Sequence, residues 1–267
     1  MTQHPPSATP EFRSVAQRLR EAVTGGTYEP GSRLPAAAEL AEHLGCTRSA
    51  VERAVRVAAA EGLVTTRKGS GAYVSRLLQR ITRRTDGLLR SVPDGEADGS
   101  HDALEAELRA LGLVARHFPD VRTERAPQDL AAPFGLKRQG QVLVRETRTF
   151  AVAAGSAPTD PGTPVQLAFT YLPLDIARHT DLERPDLGPR GVEGLLTELG
   201  HRPTDFSETV DVRPPHEHEA TALEIDADNR VIQLTRTAAT VDRTVAVTTS
   251  VLPAHLWSLS YRWTTTT

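Results

Sequence analysis

The chain has 267 residues, 39% of them hydrophobic and 24% charged, with a formal net charge of -3, which fits an ordinary globular protein with room for two domains. No apolar run approaches the ~20 residues of a bilayer-spanning helix, and Cys46, the single cysteine, excludes an internal disulfide and a cysteine-based zinc site. The charge is uneven: residues 1–90 hold 14 Lys/Arg against 8 Asp/Glu, and residues 91–267 hold 17 against 26. A basic front on an acidic body suits a nucleic-acid-binding head, because phosphates supply most non-specific affinity.

Residues 1–10 are polar and Pro-rich without a signal-peptide apolar core, so a disordered tail and a cytoplasmic location are expected. From Glu11 to Gly25 the apolar residues Phe12, Val15, Ala16, Leu19, Ala22 and Val23 follow helical spacing, and Gly25-Gly26 ends the helix. Ala36 to Leu44 reads as a second, short helix closed by Gly45, which suits a position of positive φ. Thr47 can cap a third helix running to about Glu61, with Val51, Ala54, Val55 and Ala58 on one face. Leu63 to Arg67 and Ala72 to Val74 then read as strands of a hairpin whose tip is Lys68-Gly69-Ser70-Gly71. Helix, turn, helix and basic hairpin in this order predict a winged helix-turn-helix over residues 11–75.

The first residues of a recognition helix meet base edges in the major groove, which here selects Thr47, Arg48, Ser49, Ala50, Glu52 and Arg53. Arginine pairs with two acceptors of guanine, glutamate accepts from cytosine, and a serine hydroxyl suits a base or a phosphate. Arg67, Lys68, Gly69, Ser70 and Gly71 of the wing are expected on phosphate or in the minor groove, and Arg33 joins the contact set. The stretch from Val15 to Val74 closely resembles the GntR family of bacterial regulators. It does so through Pro30-Gly31, Arg33-Leu34-Pro35, Glu39-Leu40-Ala41, Leu44-Gly45, Thr47-Arg48, Glu61-Gly62-Leu63-Val64 and Gly69 to Val74. Ala36, Ala37 and Ala38 replace a usual Ser-Glu-Arg-like run, removing a helix cap and one arginine, and Glu52 stands where many members have arginine.

Residues 76–100, basic and then Pro-, Gly- and Asp-containing, read as a linker, and residues 101–267 as a second domain starting with a helix from Asp102 to Leu111. This half is internally duplicated: residues 162–176 align without a gap on 242–256, and Pro127 to Thr149 parallels Pro215 to Ala238. Each copy reads as short helix, strand, turn, strand ending in Leu-Pro, then helix, giving a mainly antiparallel sheet with a crevice between the halves. Alternation puts Val165, Leu167, Phe169 and Tyr171 on one face with Val245, Val247, Thr249 and Val251. The opposite face carries Gln166, Ala168, Thr170, Ala246, Thr248 and Ser250, small and hydroxylic residues that suit a modest polar ligand. Arg145 and Arg148 fall on opposite faces of the neighbouring strand, and Arg145 is the expected anion contact. Gly188-Pro189-Arg190-Gly191 ahead of a helix at 192–199 can offer backbone N–H groups to an anion, so Arg190 and Gly191 join the candidates.

This half resembles the UTRA ligand-sensing domain that marks the HutC subfamily of GntR regulators. The resemblance is carried by Pro127–Leu136, Pro215–Ile225, Tyr171-Leu172-Pro173 and the closing Leu252 to Tyr261. It implies an α+β chain: a winged helix-turn-helix followed by a chorismate-lyase-like α/β domain with a mainly antiparallel sheet. It also implies a homodimer on an inverted-repeat operator in double-stranded DNA, released or tightened by a small-molecule effector. The expected effector contacts are Arg145, Thr147, Thr170, Tyr171, Arg190, Gly191, Thr248 and Ser250. Sugar-phosphate-sensing members often carry Arg-x-Arg where this chain has Thr147 and Thr149.

The rival expectation is a small-molecule enzyme of chorismate-lyase-like fold with an accessory DNA-binding head. No nucleophile elbow, P-loop or dinucleotide fingerprint supports it. His216-Glu217-His218-Glu219 reads as a solvated helix start rather than a metal site, acids there suiting the helix dipole. Neither a metal nor a cofactor is expected.

Overall fold

The computed structural model describes residues 11–67, 71–84, 99–136 and 140–262. The chain divides into two compact units, Met1–Gln79 and Arg80–Thr267. The tail expected over residues 1–10 lies outside the described residues.

In the first unit, α1 (Glu11–Thr24), α2 (Ala37–Leu44) and α3 (Arg48–Ala60) enclose a core of Val15, Ala16, Leu40, Ala41, Ala50, Val51 and Ala54. Their apolar positions recur at helical spacing, so each helix buries one stripe. The turn between α2 and α3 needs Gly45 at φ 60: its N–H reaches Glu42 and that of Cys46 reaches Ala41, closing α2. The Cys46 side chain packs against this core. No side-chain hydrogen bond caps α2 at Ala36, as the alanine run leads one to expect. β1 (Val64–Arg67) and β2 (Gly71–Val74) pair antiparallel, and an isolated bridge from Arg33 to Tyr73 extends the hairpin.

The second unit begins earlier than the sequence suggests. Within the expected linker, Ile81–Arg84 forms β3, and α4 starts at Gly99 rather than Asp102. β3 pairs in parallel with β10 (Trp257–Ser260) at the far end of the chain. Ile81 is fully buried and donates its N–H to Leu256 at 2.8 Å. One buried residue in a basic run leaves no periodicity to read, and its partner strand is remote in sequence.

After α4 (Gly99–Ala110) come β4 (Leu113–Arg125), α5 (Gln128–Ala131), β5 (Gln141–Ala153), β6 (Thr163–Pro173) and α6 (Leu174–Ala177). They are followed by α7 (Gly191–Glu198), β7 (Asp205–Arg213), α8 (Glu217–Ala222), β8 (Val231–Ala239) and β9 (Thr244–Pro253). The six-stranded sheet runs β4-β5-β6-β9-β8-β7, all pairs antiparallel. The order is its own mirror image under the duplication. Phe169 and Thr249, matched by the repeat, pair with each other, so a pseudo-two-fold axis passes between them. The second copy departs at its end, where a turn at Ala254–Leu256 replaces the expected helix and leads into β10.

The expected apolar face packs as the alternation predicts for Leu167, Phe169, Tyr171, Val247 and Val251, but Val245, beside the register shift at Ala238/Ala239, packs with Leu143, Leu172 and Ala246 instead. Leu130, Phe134, Val142, Val144 and Val247 form one cluster, and Leu167, Leu223, Val231 and Val251 form another. Leu167, Val231 and Val251 are fully buried, each contributing about 1.5–3 kcal/mol by removal from water.

Candidate nucleic-acid interface and ligand cavity

At the start of α3 the Thr47 hydroxyl accepts from the Ala50 N–H at 3.3 Å. The Thr47 N–H and hydroxyl both donate to the Glu11 carboxylate at 3.0 Å. Glu11 was not singled out from the sequence, since no local pattern joins the first residue of one helix to the cap of another. Thr47, Arg48, Ser49, Glu52 and Arg53 are all exposed. Arg48 donates to Glu52 at 2.9 Å, an exposed pair that a phosphate or base can displace at little cost. The Arg53 guanidinium lies 4.1 Å from the centre of the Phe12 ring. Ala50 is a correction: its side chain is 4% exposed and packs in the core, because it sits on the same stripe as Val51 and Ala54.

Arg33 is exposed, and its side chain lies over Gly71, where a Cβ would meet Nε at 3.2 Å. Gly71 has φ 103, a conformation that favours glycine. Lys68, Gly69 and Ser70 lie outside the described residues, and the Arg67 backbone ends β1.

In the second unit a cavity of about 720 Å³ opens over the pseudo-two-fold axis. Its floor is the face expected from alternation: Gln166, Ala168 and Thr170 of β6 with Ala246, Thr248 and Ser250 of β9. The Thr170 and Thr248 hydroxyls meet at 3.0 Å, and Gln166 donates to Ser250 at 3.2 Å. Arg145, Thr147 and Gly191 also line the cavity. Two expected contacts do not. Tyr171 faces the other side of the sheet, packed against the Leu130 cluster, and burial raises its pKa. Arg190 is exposed and turned to Asp181 and Glu198 at 3.2 and 2.9 Å. Alternation had already put Tyr171 on the apolar face; the loop before α7 has no period from which to read Arg190.

Arg145 is 6% exposed, and burial pulls its pKa down to about 10. Its Nη1 donates to the Leu182 and Arg184 carbonyls at 2.7 and 2.6 Å, and its Nη2 to that of Pro185 at 2.8 Å. The expected anion contact is therefore also a clamp on the loop that leads to the cavity wall at Leu187 and Gly188. Arg148 lies on the opposite face, beside Phe150 and His218.

Several lining residues were not found in the sequence. Arg83 of β3 grips Glu208 of β7 at 2.8 and 2.5 Å, and Arg84 reaches Glu107 at 3.3 Å. Arg236 pairs with Glu193 at 3.1 Å and stacks 4.5 Å over Phe206. The duplication held the signal for Arg236, since it maps Thr147 onto that position; nothing local marked Arg83. Trp257 closes one side, its indole N–H donating to Val165 at 2.7 Å.

The His216–Glu219 cluster is not simply solvated. Glu219 is 3% exposed, accepts the His216 N–H at 2.8 Å and receives both Arg213 Nη groups at 2.7 and 2.6 Å. The His216 and His218 rings stack with centres 5.8 Å apart. Among the described residues no cluster of His, Cys, Asp and Glu is arranged to hold a metal, and no helix is long and apolar enough to cross a membrane.

Comparison with known proteins bears on both units. Residues 12–74 match the bacterial regulatory proteins of the gntR family, and residues 117–256, half of the chain, match the UTRA domain. An HTH-type transcriptional regulator of Streptomyces coelicolor is 29% identical over 244 residues, covering 88% of this chain and 86% of that protein. The histidine utilization repressor of Klebsiella aerogenes is 35% identical over 116 residues, 43% of this chain and 40% of that protein. The crystal structure of a GntR-family transcriptional regulator superposes with a TM-score of 0.55 at 22% identity, covering 97% of this chain and 99% of that one. PhnF from Mycobacterium smegmatis superposes with a TM-score of 0.53 at 21% identity, covering 94% and 100%; at such identities both speak for the fold alone. The family and these named relatives are transcriptional regulators, not enzymes. The chain belongs to the GntR family of bacterial regulatory proteins, in the group whose second domain is a UTRA domain.

Proposed function

We propose that the chain is a cytoplasmic, homodimeric transcription repressor that binds an inverted-repeat operator and changes its affinity when a small molecule occupies the cavity over Thr170 and Thr248. The observation that carries this reading is the pairing, in one chain, of a capped and exposed recognition helix with a cavity floored by hydroxyl and amide side chains on a separate unit. Arg48, Ser49, Glu52 and Arg53 read base edges, while Arg33 and the wing hold phosphate. The chain leaves the first unit at Gln79 and within a few residues becomes β3, whose Arg83 and Arg84 line the cavity. A ligand that rearranges these arginines acts on the segment that carries the head. Its effect on DNA affinity equals its preference between the two dimer states and no more.

The test is a fluorescence-anisotropy titration of the intact chain against DNA upstream of its own gene, at fixed salt, beside a scrambled duplex. Specific binding that Arg48→Ala weakens by about 1–3 kcal/mol is expected. Equal weak binding to both duplexes, together with a random-DNA selection that enriches nothing, overturns the reading.

A further inference from the structure

Resting on the cavity as the effector site, we propose that its ligand carries a single carboxylate seated on Arg145 and an apolar body reaching across the pseudo-two-fold axis toward Leu234 and Trp257. Three observations lead there.

The first is the state of Arg145. It is buried at the cavity wall, and no acidic side chain partners it among the described residues. Three backbone carbonyls take both Nη1 hydrogens and one on Nη2. The Nε–H and one Nη2–H remain. Carbonyl dipoles satisfy donors but bring no formal negative charge to this buried cation, so an anion gains there. A guanidinium with two N–H groups to spare suits the two oxygens of a carboxylate.

The second is the occupation of every other cation in the wall. Arg83 is held by Glu208, Arg84 by Glu107 and Arg236 by Glu193. Asp186 and Glu105 line the cavity as well, so acids outnumber arginines there. One added negative charge finds a partner in Arg145. The second charge of a phosphate monoester finds none without breaking an ion pair.

The third is the broken symmetry of the floor. The repeat maps Arg145 onto Leu234 and Thr147 onto Arg236, as the matching registers of β5 with β6 and β8 with β9 require. The half with β5 therefore holds Arg145, a cation without an acidic partner among the described residues, while the related position is Leu234 and the arginines of that half are paired; Leu252 and Trp257 also line the cavity. Ala168 keeps the floor low between them, and Thr170 and Thr248 answer each other's hydroxyls. An amphipathic ligand enters in one orientation only.

The experiment uses the intact chain and matched pairs that differ only in charge: benzoate with benzamide, phenylacetate with phenylacetamide, indole-3-acetate with its amide. Inorganic phosphate and glucose 6-phosphate form a separate arm. Binding is read by thermal shift and by quenching of tryptophan emission, Trp257 being in the wall. The acids are expected to bind at least about tenfold tighter than their amides. Arg145→Lys keeps the charge and a reach to the loop carbonyls but loses the fork, so it should weaken the acids by about ten- to a hundredfold and the amides by much less, narrowing the gap between them. Equal binding of acids and amides, binding of the phosphates alone, or no binding by any acid at millimolar concentration overturns the carboxylate assignment. Ala168→Leu separates the two levels of the argument, because it fills the floor without touching Arg145. Acid binding that survives this change overturns the cavity as the site; acid binding that it abolishes, with the Arg145→Lys pattern, supports both.

Discussion

Thr47 does two things at once. Its hydroxyl caps α3 on the Ala50 N–H, and its own N–H and hydroxyl are held by Glu11 at the start of α1. The recognition helix is thus fixed at the end that would meet base edges, the end where a small tilt moves Arg48 most. Thr47→Ala removes the cap and one bond to Glu11 and should cost the first unit about 1 kcal/mol. A melt of the intact chain followed by far-UV circular dichroism should show the early, helical part of the transition moved down by several degrees. Operator affinity should fall in the same variant although no base contact of Arg48 is deleted. An unchanged melt would mean that water replaces the cap at no cost.

At the scale of elements, α8 shows how a piece too short to persist alone is held. Six residues cannot offset helix nucleation, so tertiary contacts must. Glu219 provides them, joining the His216 N–H to the Arg213 fork on β7. Burial by itself would raise the Glu219 pKa, but Arg213 and His216 outweigh it and hold the carboxyl at about 2 instead of 4.5. The folded chain therefore binds this proton more weakly than the unfolded chain. The stabilisation is fully present above about pH 4.5 and is lost as pH falls toward 2, an effect on the order of 3 kcal/mol. Urea midpoints measured across that window should drop steadily, and Glu219→Gln should flatten this part of the profile. The same variant should be less stable at neutral pH, because Arg213 is left without its counter-charge. Equal pH slopes in the two proteins would place the titration elsewhere.

For the whole molecule, the positive head and the negative body give each unit a different relation to DNA. Phosphate contacts make affinity fall steeply with salt, whereas an effect transmitted from the cavity should act on specific binding and leave the non-specific part unchanged. Two chains per duplex are expected by light scattering. Inserting about five base pairs between half-sites should abolish cooperative binding by turning one half-site to the opposite side of the helix. Retention of full affinity by a single half-site would argue against the dimeric arrangement.

Local chemistry determined much of this protein from sequence alone. The three helices, the αL turn at Gly45 and the hairpin from Val64 follow from period, caps and glycine, all set by neighbours a few residues away. The floor of the cavity was legible for a related reason: strand alternation fixes a face, and the duplication fixed which strands face the axis together. What only the tertiary structure decided are pairings between remote segments. β3 takes its partner from β10, Glu11 holds the cap of another helix, and Arg83 and Glu193 reach the cavity through contacts that no spacing encodes. The fate of Arg145 belongs to the same class. Alternation placed it on the cavity side of the sheet, but only the fold brings three carbonyls to it and, among the described residues, no acid.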